Sequence, residues 1–309
     1  MAKIYINTDG SFSGPNIFGS RLKEALIKRG HKFVPFAECD INLAFISGAY
    51  KNGAKNILRL DGLILDSEDE LRNQKNKPMK NSLALFDHIV FQSEFSKRAY
   101  EAFFGAVNHS TIIYNGTPQS FSPHSSNWGQ DHPLSKFEYI LVASADWRRH
   151  KRGEEAIAAV MSYYKKDICL LVIGGAGQFV VNDNVPNIFC TERVLPNVLP
   201  SIYNRCDAMI HLAWLDWCPN TVIEELSCGL PVLCSSNGGT KELVRDQGVC
   251  IELEEEYIDG TLAPLYNPPS ADLNKIHSGI DRLLEIEKIN TKREDLDIDF
   301  VAQKYEEIF

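Results

Sequence analysis

The chain has 309 residues, of which 44% are hydrophobic, and its formal net charge is −9. This length favours two compact domains of about 150 residues each, and the hydrophobic fraction is sufficient for globular cores. The chain lacks the basic surface that nucleic-acid binding requires, and no apolar run approaches the ~20 residues of a membrane-spanning helix.

The eight cysteines show no C-x-x-C spacing, and the amino-terminal segment lacks the apolar core of a secretory signal. Buried free thiols are therefore favoured over disulfide bridges, and we expect a cytoplasmic protein. Residues 1–122 are mildly basic, whereas the acidic excess lies in the remainder. A peripheral contact with an anionic membrane surface is one interpretation of this asymmetry, and a solvated surface is the simpler one.

Short apolar strands alternate with amphipathic helices through the first half, which is typical of an α/β domain with a parallel sheet. The first strand ends in a loop rich in glycine and serine at residues 9–14. Its glycines are spaced too widely for a G-x-G-x-x-G dinucleotide motif. The predicted strands are residues 3–7, 31–35, 41–46, 56–60, 88–92 and 110–114, and the predicted helices are residues 16–29, 68–86 and 93–104, the last with Ser93 as its cap.

The composition changes sharply at residues 117–135, which are rich in serine, proline, histidine and glycine. Such a composition is typical of a linker. We therefore predict a first domain at residues 1–122, a linker at 123–135 and a second domain at 136–297.

The second half repeats the alternation. Its predicted strands are residues 139–144, 168–173, 208–212 and 232–234, and its predicted helices are residues 154–164, 201–205, 220–228, 271–288, 300–309 and one that begins at 240. The second of these strands runs into Gly174 and Gly175, which alone are a weak sign of a phosphate loop because no helical pattern follows directly. The acidic residues 252–259 are expected to be solvated.

Charged side chains cluster at two predicted strand ends, where ligands of open α/β sheets bind. Arg59 and Asp61 follow a strand of the first half, with ordinary turn chemistry as the alternative. Arg148, Arg149 and Lys151 follow the first strand of the second half. Arginine offers two parallel donors and lysine a compact charge, so the second cluster suits a diphosphate.

Residues 216–242 carry the strongest chemical pattern. Asp216 precedes a helix that has Pro219 at its beginning, and Glu224 lies inside that helix. The free N–H groups at a helix start attract anions, so two carboxylates here flank an anion site. This suits a ligand with both phosphates and sugar hydroxyls. An ordinary capped helix is the alternative.

This stretch resembles the signature of the retaining glycosyltransferases of family 4, or glycosyl transferases group 1, which have the GT-B fold. That signature combines E-x7-E, Cys-Gly-x-Pro-Val and Gly-Gly-x-x-Glu. The chain has Asp216 and Glu224, then CGLPV at residues 228–232 and GGTKE at residues 238–242. It departs from the family in having Asp216 for the first glutamate, which shortens that contact by one methylene.

The resemblance implies an α/β protein of GT-B architecture, in which two Rossmann-like domains face each other across a cleft. It also implies that the carboxyl-terminal helix, residues 298–309, packs back on the first domain. The implied activity is transfer of a hexose, with retention, from a nucleotide-diphosphate sugar to a hydroxyl of a glycan, glycoprotein or lipid-linked acceptor. No metal or other cofactor is expected. Family frequency favours GDP-mannose as the donor, followed by UDP-glucose.

The resemblance also assigns roles to residues. Arg148 or Arg149 would bind the diphosphate together with Lys151, Glu224 would accept hydrogen bonds from the ribose, and Asp216 would accept them from the donor sugar. The other positions that the resemblance places around the donor are Cys218, Pro219, Asn220 and Thr221 at the helix start, Gly14 across the cleft, Gly174 and Gly175 near the base, and Asp61, with Arg59, near the sugar.

Two other functions remain open at this point. A sugar-nucleotide epimerase or hydrolase of the same fold would consume the donor without an acceptor. A catalytically inactive protein would bind the nucleotide and turn over nothing, which the departure at Asp216 allows.

Overall fold

A computed structural model describes residues 1–10, 13–66, 69–179 and 185–309, with residues 69–73 described by their backbone alone. Positions 11 and 12 of the predicted glycine and serine loop and position 68 of the predicted second helix lie outside these ranges. Within them, twelve strands form two parallel six-stranded sheets. This confirms the α/β prediction. No helix of the described ranges has the length and apolar character needed to cross a membrane.

The first sheet has the strand order β2-β1-β3-β4-β5-β6. Its strands are β1 (Lys3–Ile6), β2 (Lys32–Phe33), β3 (Ile41–Phe45), β4 (Lys55–Leu60), β5 (His88–Phe91) and β6 (Ser110–Ile112), and its helices are α1 (Gly14–Lys28), α2 (Asp69–Leu83) and α3 (Glu94–Phe104). The central strands β3 and β4 are almost wholly buried. The edge strand β2 is shorter than predicted because it pairs with β1 over two residues only.

The second sheet has the order β12-β11-β10-β7-β8-β9. Its strands are β7 (Tyr139–Ser144), β8 (Ile168–Ile173), β9 (Ile188–Thr191), β10 (Ala208–His211), β11 (Val232–Ser235) and β12 (Gly248–Ile251), and its helices are α4 (Gly153–Ser162), α5 (Leu199–Arg205), α6 (Asn220–Ser227), α7 (Thr240–Val244) and α8 (Leu273–Leu283). The sequence prediction missed β9 and β12. Both are four-residue edge strands, and such short segments carry little hydrophobic periodicity.

The carboxyl-terminal helix α9 (Ile298–Glu306) packs against α1 of the first domain. Its buried residues Ile298, Val301 and Tyr305 join the same core as Phe18 and Leu22 of α1. The Asp297 carboxylate accepts the Asp299 N–H at 2.8 Å and so caps the amino end of α9. The chain therefore crosses from the second domain back to the first at its end.

Candidate functional site

A cavity of about 350 Å³ lies between the two domains, beside the carboxyl ends of β7 and β8 and the start of α6. Ligands of open parallel sheets bind at this edge. Helix α1 of the first domain forms the opposite wall. The lining residues used below are Ser144, Asp146, Gly174, Asn220, Thr221 and Glu224 of the second domain and Arg21 of the first.

The Glu224 carboxylate is held from both domains. Its Oε1 accepts a hydrogen bond from Arg21 Nη2 at 2.5 Å, and its Oε2 lies 3.5 Å from the Tyr203 hydroxyl. The side chains of Arg21 and Glu224 are 9% and 5% exposed, so water screens this ion pair only weakly. Sequence reasoning missed Arg21. It lies one helical turn after Ile17, so both side chains are on the face of α1 that lines the cavity.

The predicted basic cluster forms a tight elbow between β7 and α4, and its members have different partners. Arg148 Nη2 donates to Asp146 at 3.0 Å, and Arg149 donates to Glu154. Both arginine side chains are exposed, and both lie outside the cavity lining. The Lys151 ammonium contacts the Asp216 carboxylate, and neither of these two residues belongs to the cavity lining. Their assignment to a diphosphate stays a prediction.

Asp216 is the centre of a buried polar network. Its Oδ2 accepts from Lys151 and lies 3.0 Å from His211 Nε2, and its Oδ1 accepts the Trp217 N–H at 3.0 Å. Burial opposes ionisation of Asp216, but Lys151 and His211 outweigh it and hold the pKa of the carboxyl well below its usual range. Burial lowers the pKa of His211. Asp216 is therefore anionic at neutral pH, and the pair with Lys151 places the elbow against the loop before α6.

Arg152 explains the shape of the elbow. It has left-handed backbone geometry, with φ of 54°, and its side chain is fully buried. Its guanidinium forms an ion pair with Glu254 at 2.8 Å and donates to the Pro269 carbonyl at 2.9 Å. The expectation that residues 252–259 are solvated is therefore wrong at Glu254, because a buried guanidinium requires a carboxylate partner.

The glycine pair of the GGTKE segment allows two loops to meet. Gly239 N–H donates to the Asp216 carbonyl at 2.7 Å, and a Cβ on Gly239 would lie 2.1 Å from the Trp217 carbonyl. Further along, the Glu242 carboxylate accepts the backbone N–H groups of Glu94 and Phe95, each at 2.7 Å. Those groups begin α3 of the first domain, so Glu242 caps a helix across the domain interface.

Amide side chains connect the domains at the start of α6. Asn220 Nδ2 donates to the Gly14 carbonyl at 3.0 Å, and Asn115 Nδ2 donates to Asn220 Oδ1 at 2.9 Å. Asn115 Oδ1 accepts in turn from Arg59 at 2.7 Å, and Arg59 also donates to Asp61. The predicted residues Gly14, Asn220, Arg59 and Asp61 thus belong to one hydrogen-bonded network at the cleft.

The remaining predicted positions differ in their surroundings. Gly174, with φ of 78°, lines the cavity, whereas Gly175 is buried beneath Phe179. Pro219 is the N-cap of α6 and precedes the first turn in which the sequence prediction placed it. Burial raises the pKa of the Cys218 thiol to about 12, so this thiol is not a nucleophile at neutral pH. In the part of the chain that the structure describes, no three His, Cys, Asp or Glu side chains are arranged to hold a metal ion.

Comparisons with known proteins agree with this geometry. Residues 138–271 match the family model described as Glycosyl transferases group 1. No curated relative matches the sequence. Among solved structures, the chain is similar to sucrose-phosphate synthase from Thermosynechococcus elongatus, with a TM-score of 0.73 and 14% identity over 99% of this chain and 97% of that one.

HepE of Anabaena in complex with UDP-glucose gives a TM-score of 0.69 at 14% identity, over 99% of both chains. A glycosyltransferase from Rickettsia africae gives 0.60 at 14% identity, over 96% of this chain and 82% of that one. These likenesses extend over both domains. The whole chain therefore has the GT-B fold, and its second domain matches the family Glycosyl transferases group 1.

Proposed function

We propose that the protein is a retaining glycosyltransferase that moves a hexose from a nucleotide-diphosphate sugar to a hydroxyl acceptor. The observation that carries the proposal is the interdomain cavity in which Glu224, Asn220 and Thr221 of α6 face Gly174 and the end of β7. A helix start can bind a phosphate, a buried carboxylate can accept hydrogen bonds from a ribose, and a glycine turn leaves room for a base. The family match of the second domain supports the same function.

In the proposed reaction, the bond between the anomeric carbon and the phosphate oxygen breaks, and its electron pair stays on the nucleoside diphosphate. The acceptor oxygen bonds to the anomeric carbon on the same face, and its proton passes to the leaving phosphate. Cationic groups and the amino end of α6 would stabilise the developing charge. Lys151 is the candidate cation because its Asp216 partner belongs to the loop that leads into this helix.

Metal independence is part of the proposal, because Lys151 and the N–H groups of α6 can neutralise a diphosphate without an ion. Chelation with EDTA should leave transfer unchanged, and loss of transfer that Mg²⁺ restores would contradict this part. We also propose a cytoplasmic location, supported by eight free cysteines. The acceptor class remains a glycan, a glycoprotein or a lipid-linked saccharide, with peripheral membrane contact in the last case.

Two donors are proposed for testing. GDP-mannose follows from family frequency, and UDP-glucose gains support from the complex of HepE with that donor. A thermal-shift panel of GDP, UDP and both sugars decides between them. A ligand at a hundredfold excess over its Kd stabilises the folded state by about 2.7 kcal/mol. The absence of a shift with every nucleotide would contradict the proposal.

A second experiment distinguishes glycosyl transfer from the two alternative functions. The best donor is incubated with the protein alone and then with candidate acceptors, and the anomeric proton of the product is followed by NMR. We expect consumption only with an acceptor and an unchanged anomeric configuration. Consumption of the donor alone would indicate an epimerase or hydrolase, and binding without consumption would indicate an inactive binding protein.

A further inference from the structure

Arg21 belongs to the first domain, yet its side chain lines the cavity together with residues of the second domain. Its side chain leaves α1, reaches Glu224 at 2.5 Å and is only 9% exposed. The Phe121 ring covers the guanidinium, with 5.2 Å between the guanidinium carbon and the ring centroid. This cation–π contact and the ion pair hold the group in one place.

One donor of this guanidinium is unused. Arg21 Nη1 is buried and has no hydrogen-bond partner among the described residues. A buried N–H group without a partner costs free energy that a bound acceptor can recover. Since the side chain lines the cavity, a ligand there is the available source of that acceptor.

The Glu224 carboxylate can accept further hydrogen bonds. Its Oε1 is bonded to Arg21, and its Oε2 has only the long 3.5 Å contact with the Tyr203 hydroxyl. A carboxylate oxygen can accept more than one hydrogen bond, and a sugar hydroxyl can donate one and accept another. A single ribose hydroxyl can therefore donate to Glu224 and accept from Arg21.

We propose that Arg21 is a donor-binding residue, which binds the ribose of a nucleoside diphosphate jointly with Glu224. This inference rests on the proposed function of the same cavity. It adds that the second domain alone does not form the complete nucleotide site. The first domain supplies a cationic group of the nucleotide site, the Arg21 guanidinium.

The proposed role of Arg21 links nucleotide binding to the contact between the two domains. Arg21 can reach the ribose only while α1 lies against α6, which is the arrangement that the Asn220–Gly14 contact also requires. Nucleotide binding through both residues therefore stabilises this contact between the domains, and the contact raises affinity for the nucleotide. Such reciprocity is a thermodynamic necessity for two linked equilibria.

The test compares Arg21→Met and Arg21→Lys with the wild-type protein by isothermal titration calorimetry. Arg29→Met is the matched control, because Arg29 also lies at α1 and pairs with a glutamate, Glu306, at 2.5 Å, away from the cavity. The probes are UDP, GDP and inorganic pyrophosphate. Circular dichroism melts establish that each variant is folded.

We expect both Arg21 variants to bind the preferred nucleoside diphosphate about tenfold more weakly or worse, as for the loss of a hydrogen bond from a charged donor. Pyrophosphate binding and the Arg29→Met variant should be unchanged. Arg21→Lys keeps the charge beside Glu224 but has one nitrogen in place of Nη1 and Nη2, so it cannot contact Glu224 and the ribose in the same fork geometry. Wild-type affinity in this variant would overturn the ribose contact. An equal loss of pyrophosphate affinity would overturn it too.

The binding measurements also distinguish failure of the proposed function from failure of the role assigned to Arg21. A wild-type protein that binds neither UDP nor GDP overturns the proposed function and this inference together. A wild-type protein that binds one of them, with Arg21→Met binding it equally well or better, overturns the inference alone. Arg21 would then only hold the two domains together.

Discussion

The ammonium of Lys151 contacts the carboxylate of Asp216, and this pair joins the elbow after β7 to the loop before α6. The two residues are 65 positions apart in sequence. The contact brings a basic segment to the helix start that the sequence predicts as an anion site. His211 completes the group, so a partly buried lysine lies beside a buried histidine and a buried aspartate.

Replacement of Lys151 tests whether this pair serves the reaction. Lys151→Ala should lower kcat about a hundredfold, the usual effect of removing one group that stabilises a developing oxyanion. Steady-state transfer assays with the best donor provide the measurement. Lys165→Ala is the control, since Lys165 pairs with Asp281 on an exposed surface. Near-wild-type turnover in Lys151→Ala would remove this lysine from the mechanism.

Glu242 should stabilise the contact between the domains. Glu242→Gln removes the negative charge that accepts the N–H groups of Glu94 and Phe95, and hydrogen bonds to charged groups contribute about 1.5–3 kcal/mol. We expect Tm to fall by about 3 °C or more. Glu307→Gln, which alters an exposed pair with Lys304, should leave Tm unchanged. Equal melting of the two variants would contradict an interdomain role for Glu242.

Acid should destabilise the fold partly through His150. Burial and the neighbouring Lys151 lower the pKa of His150 to about 4, whereas an unfolded histidine has a pKa of about 6.5. As the pH falls from about 6.5 to about 4, the unfolded state binds a proton that the folded state does not. The free energy of unfolding therefore falls by up to about 3 kcal/mol across this interval through His150.

Urea denaturation at pH 7.0, 5.5 and 4.5 measures this dependence. His150→Gln should reduce the loss of stability between pH 7.0 and 4.5, because glutamine does not titrate. His124→Gln, at an exposed position in the linker, is the matched control. If His150→Gln and the wild-type protein lose stability equally, His150 is not the responsible group.

Cys250 should be the most reactive thiol. It faces Cys234 on the adjacent strand, and this thiol and Lys241 lower the pKa of Cys250 to about 7. Cys250 is also exposed. At pH 7 it holds roughly fifteenfold more thiolate than an ordinary thiol with a pKa of about 8.5.

Timed alkylation with iodoacetamide, followed by peptide mass spectrometry, measures this reactivity. We expect the first label on Cys250, with a half-maximal rate near pH 7 and no such label in Cys250→Ser. Cys190 provides the internal comparison, since burial raises the pKa of its thiol. Earlier labelling of Cys190 would contradict the prediction.

Most of the architecture was accessible from local patterns. The apolar run of β8 and the Ser93 cap of α3 lie where the sequence predicts them, because burial and capping act over a few neighbouring residues. The same holds for α6, which begins directly after Pro219. Short edge strands such as β9 escaped prediction because four residues carry little hydrophobic periodicity.

The sequence by itself determined the α/β class of both halves and the helix that carries Glu224, since each depends on periodicity and spacing along the chain. Only the tertiary structure decided which charges meet. Arg21 pairs with Glu224 across 203 positions, and the buried partner of Arg152 is Glu254, in a segment expected to be solvated. Ion pairs form where the folded backbone brings two side chains together out of water, and no local pattern encodes that distance.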